Sequence, residues 1–393
     1  MHIRTQQCIQ QRSGNTTQTY DHPPLPNPHH QLQNKKNCKY IYINTQQKKK
    51  MSYKYKLNKA TQQFLKILNR PRKGPEPTLT MAEQRKGYVD LLSDQLFGWK
   101  KPNNGVRLEY ISIDSRSSDR KIPCTMYHPG NNNNNNNNQL PCFLYFHGGG
   151  WTIGEPLAYD AFMMKICEKI QAICISVDYA LGPEVKFPGA VHDSYDVFHS
   201  IANGHFGNKI DHNKIAISGD SAGGNLTAVI SSLAVQDGLH KKIKIQAPLC
   251  GAFDSTPTGR AASKSYNAFK EGHFLLGDTM DFFGDSYFHD RNSQEETSNP
   301  LASPNLATSF QDLPLTYIAA ASHDPLLTES IIYAEKLKAA GVEHTLKIFP
   351  GIHIFWMMPK GCGENESEEF INELCQHVTS AFNDSSTSVN SKM

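Results

Sequence analysis

No stretch of this chain approaches the roughly 18 consecutive apolar residues that span a bilayer, and Met1–Gln11 lacks the apolar core of a secretory leader. A membrane-spanning anchor and a cleaved signal are therefore not expected. The nine cysteines, at positions 8, 38, 124, 142, 167, 174, 250, 362 and 375, include no C-x-x-C pair. Their scatter argues against a disulfide framework and implies reduced, mostly buried thiols. His and Cys residues nowhere show metal-ligand spacing, so no metal and no cofactor is expected. Acid is nearly missing from the first part: residues 1–75 carry fifteen Lys or Arg against one acid, Asp21, while the whole chain balances to +3. A basic tail on an acidic body follows. These absences together predict a cytoplasmic protein, with peripheral association to an anionic membrane surface left open.

Apolar periodicity is also absent from residues 1–60, which are rich in Gln, Asn, Lys, His and Pro. Such a composition buries too little surface to offset the entropy of ordering, so the segment reads as a disordered tail. A solvated tail is a simpler reading than a nucleic-acid partner. Met51, just after Lys48-Lys49-Lys50, is a second candidate start of translation. Residues 384–393 read as a short disordered C-terminal tail. The eight asparagines at 131–138 read as an exposed loop insertion between two strands, where added length costs little.

What is present lies in residues 61–383. Helical apolar spacing appears at Thr61–Leu68 and Met81–Phe97. Eight short runs then read as strands: Val106–Ile113, Ile122–Tyr127, Leu140–Phe146, Ile173–Val177, Ile215–Ser218, Ile243–Pro248, Leu315–Ala320 and His344–Phe349. Helical patterns alternate with them at Tyr159–Ile170, Pro188–Ala202, Ala222–Gln236, Thr328–Ala340 and Glu368–Phe382. The later strand runs are continuously apolar, as in strands covered on both faces. The fold class expected is α/β, with a mostly parallel central sheet of about eight strands and helices on both faces.

The strongest chemical signal is Gly219-Asp220-Ser221-Ala222-Gly223, a G-x-S-x-G pentapeptide between a predicted strand and a predicted helix. In that context the serine sits in a strained turn at the strand tip, and small neighbours are a steric necessity. The Ala222 amide then lies at a helix N-terminus, where it can stabilise an oxyanion. A second signal, His147-Gly148-Gly149-Gly150-Trp151, directly follows a strand. It has neither G-x-G-x-x-G nor a following Lys-Ser/Thr, which argues against a phosphate loop. It fits an oxyanion loop whose backbone N–H groups face the nucleophile. His147 reads as structural. A serine needs a base, and the base needs an acid to orient it. In the chain order Ser, acid, His, these are Asp324, after the seventh strand, and His353, after the eighth.

The ordered set of motifs resembles the hormone-sensitive-lipase-like family of α/β-hydrolases, which includes arylacetamide deacetylases, over about residues 60–383. It rests on the two motifs above with Gly224-Asn225, on Val177-Asp178-Tyr179 with Pro183-Glu184, on Phe187-Pro188, on Asp324-Pro325-Leu326 and on Gly351-Ile352-His353. The resemblance implies a Ser221–His353–Asp324 triad and an oxyanion hole from Gly148, Gly149 and Ala222. It also implies a helical cap from about 61–100 and 253–288, the latter rich in aromatics. The activity implied is hydrolysis of short- to medium-chain carboxylic esters with small apolar substrates. Amide deacetylation, dehydration and ligand reception without turnover remain the alternatives on this scaffold. Three positions depart from the family pattern: Ala180 after Asp178-Tyr179, Leu327-Thr328 before Glu329, and Ile354 after His353. The bulk of Ile354 is expected to narrow the leaving-group side of the pocket.

Overall fold

Alternation of apolar side chains along a strand sends successive residues to opposite faces, and two separate cores follow from it here. In a computed structural model, which describes residues 55–69, 79–92, 100–116, 120–130, 139–359 and 361–384, the eight expected strands form one sheet. They are β1 Arg107–Asp114, β2 Lys121–His128, β3 Leu140–Phe146, β4 Ile173–Val177, β5 Ile210–Asp220, β6 Ile243–Leu249, β7 Thr316–His323 and β8 His344–Ile352. Their order is β1-β2-β4-β3-β5-β6-β7-β8. The β1–β2 and β2–β4 pairs are antiparallel and the others parallel.

Phe143 and Tyr145 of β3 join one core, with the helices Asp160–Ile170 and Glu364–Asn383. Cys142, Leu144 and Phe146 of the same strand join the other, with the helices Gly189–Ala202 and Ala222–Gln236. The sheet is thus covered on both faces. β5 starts at Ile210, earlier than expected, because its first residues, Asp211 to Lys214, are polar and only partly buried or exposed. The segment 253–288 carries three helices, Pro257–Ala262, Lys264–Phe269 and Gly277–Tyr287. The early helices are Lys59–Leu68 and Met81–Leu92, and the expected continuation of the second to Phe97 lies outside the described residues. Also outside them are Met51, the Asn run 131–138, and all but the ends of the two tails. No helix among the described residues is long and apolar enough to cross a membrane.

Candidate functional site

At the end of β5 the chain turns through Ser221, whose backbone is held at φ 55° and ψ −115°, and enters the helix Ala222–Gln236. A non-glycine residue at positive φ is costly and needs surroundings that leave no alternative. Here Ser221 N–H donates to Leu249 O at 2.9 Å, and Ser221 O accepts from Asn225 N at 3.1 Å and Ala252 N at 3.2 Å. Excluded volume completes the constraint. A Cβ on Gly223 would lie 1.9 Å from Phe146 O, so only glycine lets the helix start this close to β3.

The loop after β3 runs beside this turn. His147 is fully buried, and its Nδ1–H donates to Gly148 O at 2.7 Å. Its ring stacks on Tyr179 with centroids 4.3 Å apart, and Tyr179 O–H donates to His147 O at 2.6 Å. Burial lowers the imidazole to about 4, so it is neutral and structural. Gly149 stands at φ +113°, a conformation that L side chains avoid.

One expected oxyanion donor is corrected. Gly148 N–H donates to Asp220 Oδ1 at 2.9 Å and to Tyr159 Oη at 3.1 Å, so its hydrogen is already committed. Among the described residues, the N–H groups of Gly149, Gly150 and Ala222 have no protein acceptor. Gly150 and Ala222 line the same cavity as Ser221. The donors available are therefore one residue further along the glycine run than expected.

Asp324 and His353, 29 positions apart in sequence, meet at the ends of β7 and β8. His353 Nδ1–H donates to Asp324 Oδ2 at 2.8 Å, and Asp324 Oδ1 accepts from Leu326 N–H at 2.9 Å. Both side chains are buried. With Nδ1 donating, neutral His353 presents Nε2 as an acceptor. No hydrogen bond joins Ser221 to His353 among the described residues; such contacts commonly tighten only with substrate bound. The nearby histidines are engaged elsewhere: His323 Nδ1 pairs with Ser322 Oγ at 2.8 Å and its ring packs on Phe269, while His344 Nδ1–H donates to Val342 O. Cys250, Asp324 and His353 place possible ligand atoms within 4.8 Å of one another, but two of the three are already bonded together.

Ser221 opens onto a cavity walled by Trp151, Leu275, Met280, Phe283 and Phe288, with Asp254, Arg260 and Glu329 at its polar side. Phe283 is the one member of the expected aromatic set 266, 269, 274, 282 and 283 that lines it. Ile354 does not line this cavity; its side chain is buried in the core with Phe355 and Trp356, and its backbone is left-handed (φ 49°, ψ 41°).

Two buried acids escaped the sequence reading. Asp220, inside the pentapeptide, accepts from Tyr145 O–H at 2.7 Å and Tyr159 O–H at 3.1 Å in addition to Gly148. Burial raises its carboxyl to about 6, against the lowering effect of those bonds. Glu329 accepts from Phe253 N–H at 2.7 Å and Asp254 N–H at 2.9 Å, and burial raises it to about 8. An acid wedged between small residues at a strand–helix junction was the available signal for Asp220; for Glu329 it was only its place shortly after Asp324-Pro325-Leu326.

A family model described as the alpha/beta hydrolase fold matches residues 143–357. The carboxylic ester hydrolase LipN of Mycobacterium tuberculosis is 34% identical over 252 residues, covering 63% of this chain and 64% of that protein. An arylesterase of Saccharolobus solfataricus is 34% identical over 221 residues, covering 55% and 69% respectively. An AB hydrolase superfamily protein of Schizosaccharomyces pombe is 35% identical over 214 residues, and this chain spans 62% of its length. Among solved structures, a hyperthermophilic esterase from Pyrobaculum calidifontis superposes with a TM-score of 0.72 at 28% identity, over 82% of this chain and 98% of that one. These matches bear out the resemblance read from the motifs, and the chain belongs to the α/β-hydrolase family, in its hormone-sensitive-lipase-like branch.

Proposed function

We propose that this protein is a serine carboxylesterase that works through an acyl-enzyme on Ser221. The observation that carries the reading is the strained turn at Ser221 with, among the described residues, unpartnered N–H groups of Gly149, Gly150 and Ala222; the His353–Asp324 pair, oriented at the ends of β8 and β7, supports it. The relatives named as ester hydrolases point the same way.

In the proposed mechanism His353 Nε2 takes the hydroxyl proton as Ser221 Oγ bonds to the ester carbonyl carbon. The carbonyl electron pair moves to oxygen, held by the amides of 149, 150 and 222. Collapse expels the alcohol, protonated by His353, and water repeats the sequence to free the acid. Asp324 fixes the imidazole tautomer. A ligand receptor without turnover would have no use for this oriented pair.

The helices within 61–100 and 253–288 serve as the cap over the acyl group. The cavity's free volume is ≈ 40 Å³, roughly three waters' worth at about 10–15 Å³ of such space each. We therefore expect acetyl and propionyl esters to be preferred, with longer chains requiring the helix Gly277–Tyr287 to move. Hydrolysis of p-nitrophenyl esters from acetate to palmitate tests both points. Wild type should peak at the short end, and Ser221→Ala should lower kcat by a factor on the order of 10⁶. Full activity in Ser221→Ala, or silence of the wild type on every ester, would contradict the proposal.

A further inference from the structure

The helix Met81–Leu92 reaches the loop after β3 at two places. Arg85 Nε donates to Thr152 O at 3.0 Å, and its Nη2 donates to Gly182 O at 2.9 Å, while the guanidinium also grips Glu184. Gly182 N–H in turn donates to Trp151 O at 2.8 Å, so Arg85 holds the junction where the end of the glycine loop leans on residue 182. Three residues on, and hence on the same helix face, Tyr88 Oη lies 3.2 Å from Tyr159 Oη. Tyr159 spends its own hydrogen on Asp220 Oδ2, so the bond from Tyr88 must be a donation to Tyr159. The same Tyr159 oxygen and Asp220 Oδ1 receive Gly148 N–H. A hydrogen-bonded chain thus runs from Tyr88 through Tyr159 and Asp220 to the first glycine of the loop, and Arg85 holds Thr152 at its far end. Gly149 and Gly150 lie between the two anchors.

Apolar packing anchors the other side of this helix: Leu92 is fully buried, and Tyr88, Val89 and Leu91 pack partly buried against the same core, while Gly87 stands in its interior with nothing within 4 Å of a would-be Cβ. An interior glycine costs a helix roughly 1 kcal/mol relative to alanine. That apolar packing holds the helix on the body of the protein, and Arg85 and Tyr88 then tie the glycine loop to it.

We propose that the helix Met81–Leu92 is a clamp that sets the oxyanion geometry, with Arg85 and Tyr88 as positioning residues that act through the loop and never touch substrate. The proposal rests on the esterase reading above. If it holds, loosening the clamp weakens binding of the transition state more than binding of the ground state.

Three variants, Tyr88→Phe, Arg85→Gln and the control Gly87→Ala, are compared with wild type for p-nitrophenyl acetate hydrolysis. Each is also tested for inhibition by a trifluoromethyl ketone and by its non-fluorinated counterpart. Ser221 Oγ adds to the fluorinated carbonyl carbon as its proton passes to His353 Nε2, and the carbonyl pair becomes an oxyanion in the hole; the plain ketone only occupies the site. A displacement on the order of 1 Å can cost up to about a hundredfold in rate. We expect kcat to fall about tenfold in Tyr88→Phe and up to about a hundredfold in Arg85→Gln. KM and the plain ketone's Ki should move less than about twofold, and the fluorinated ketone's Ki should rise by the same factor as kcat falls. Gly87→Ala should keep wild-type kcat. Wild-type kcat in both Tyr88→Phe and Arg85→Gln would overturn the clamp, as would equal loss of both ketones with a lowered melting temperature. Those results with an active wild type would leave the esterase reading intact; an inactive wild type would remove both.

Discussion

The turns that carry Ser221 and His353 each force a non-glycine residue to positive φ, and they are held there by opposite means. At Ser221 the backbone is caught between hydrogen bonds to Leu249, Ala252 and Asn225, and Gly223 packs its bare Cα against Phe146 O. After His353 the strained residue is Ile354, a β-branched side chain for which left-handed backbone costs about 1–3 kcal/mol. Bulk packing offsets that cost. Ile354, Phe355, Trp356 and Met357 are all buried, and Phe355 meets Phe370 edge-on and Trp356 meets it tilted, with centroids 5.6 and 4.6 Å away. Each such side chain contributes about 1.5–3 kcal/mol when fully buried, so the cluster outweighs the strain. One turn is fixed by where atoms cannot be, the other by where apolar surface must go.

Among substitutions that leave Ser221 in place, the largest expected effect lies on the His353 side. Asp324→Asn should lower kcat for p-nitrophenyl acetate by about 10⁴, because the wrong tautomer of His353 would then be favoured. A loss of less than tenfold would mean that packing of the turn alone orients the ring. Next is the excluded volume at the other turn. Gly223→Ala should cut activity at least about a hundredfold, since the new Cβ must displace β3 or the helix start by roughly 1 Å; unchanged kinetics would show that the crowding yields easily. A smaller effect separates strain from packing. Ile354→Ala should destabilise the fold by about 2–5 kcal/mol in urea denaturation. Ile354→Gly should be the more stable of the two by roughly 0.5–1 kcal/mol, the reverse of the usual order, because only glycine is at ease at this φ.

The smallest effect concerns charge. Glu329 has its folded value raised from 4.5 to about 8, so the folded state binds more protons than the unfolded state between these values. Stability therefore falls as pH rises through that window. Glu329→Gln should flatten the decline in melting temperature from acid to neutral pH, and an unchanged slope would assign it to another group.

The same contrast explains what was legible in the sequence. The eight strands and the Gly219–Gly223 turn could be read because alternation, continuous apolar runs and forced glycines follow from burial and sterics, which act locally. Asp324 and His353 could be placed because chain order and strand ends confine them. The commitment of Gly148 to Asp220 could not be read, since periodicity reports which residues are inside and not which polar groups pair there. Arg85 and Tyr88 were hidden for the same reason: their partners, Thr152 and Tyr159, are more than 60 positions away. The size of Ile354 was legible and its left-handed backbone was not.

The central claim, that Ser221 is the nucleophile, is tested most directly by incubating the protein with diethyl p-nitrophenyl phosphate and mapping the adduct by mass spectrometry. Ser221 Oγ would form a bond to phosphorus as p-nitrophenolate leaves. The account predicts one equivalent of p-nitrophenolate, a diethylphosphoryl group on the peptide bearing Ser221, and loss of esterase activity in proportion to labelling. A label on a different residue, or ester turnover that persists in fully labelled protein, would contradict it.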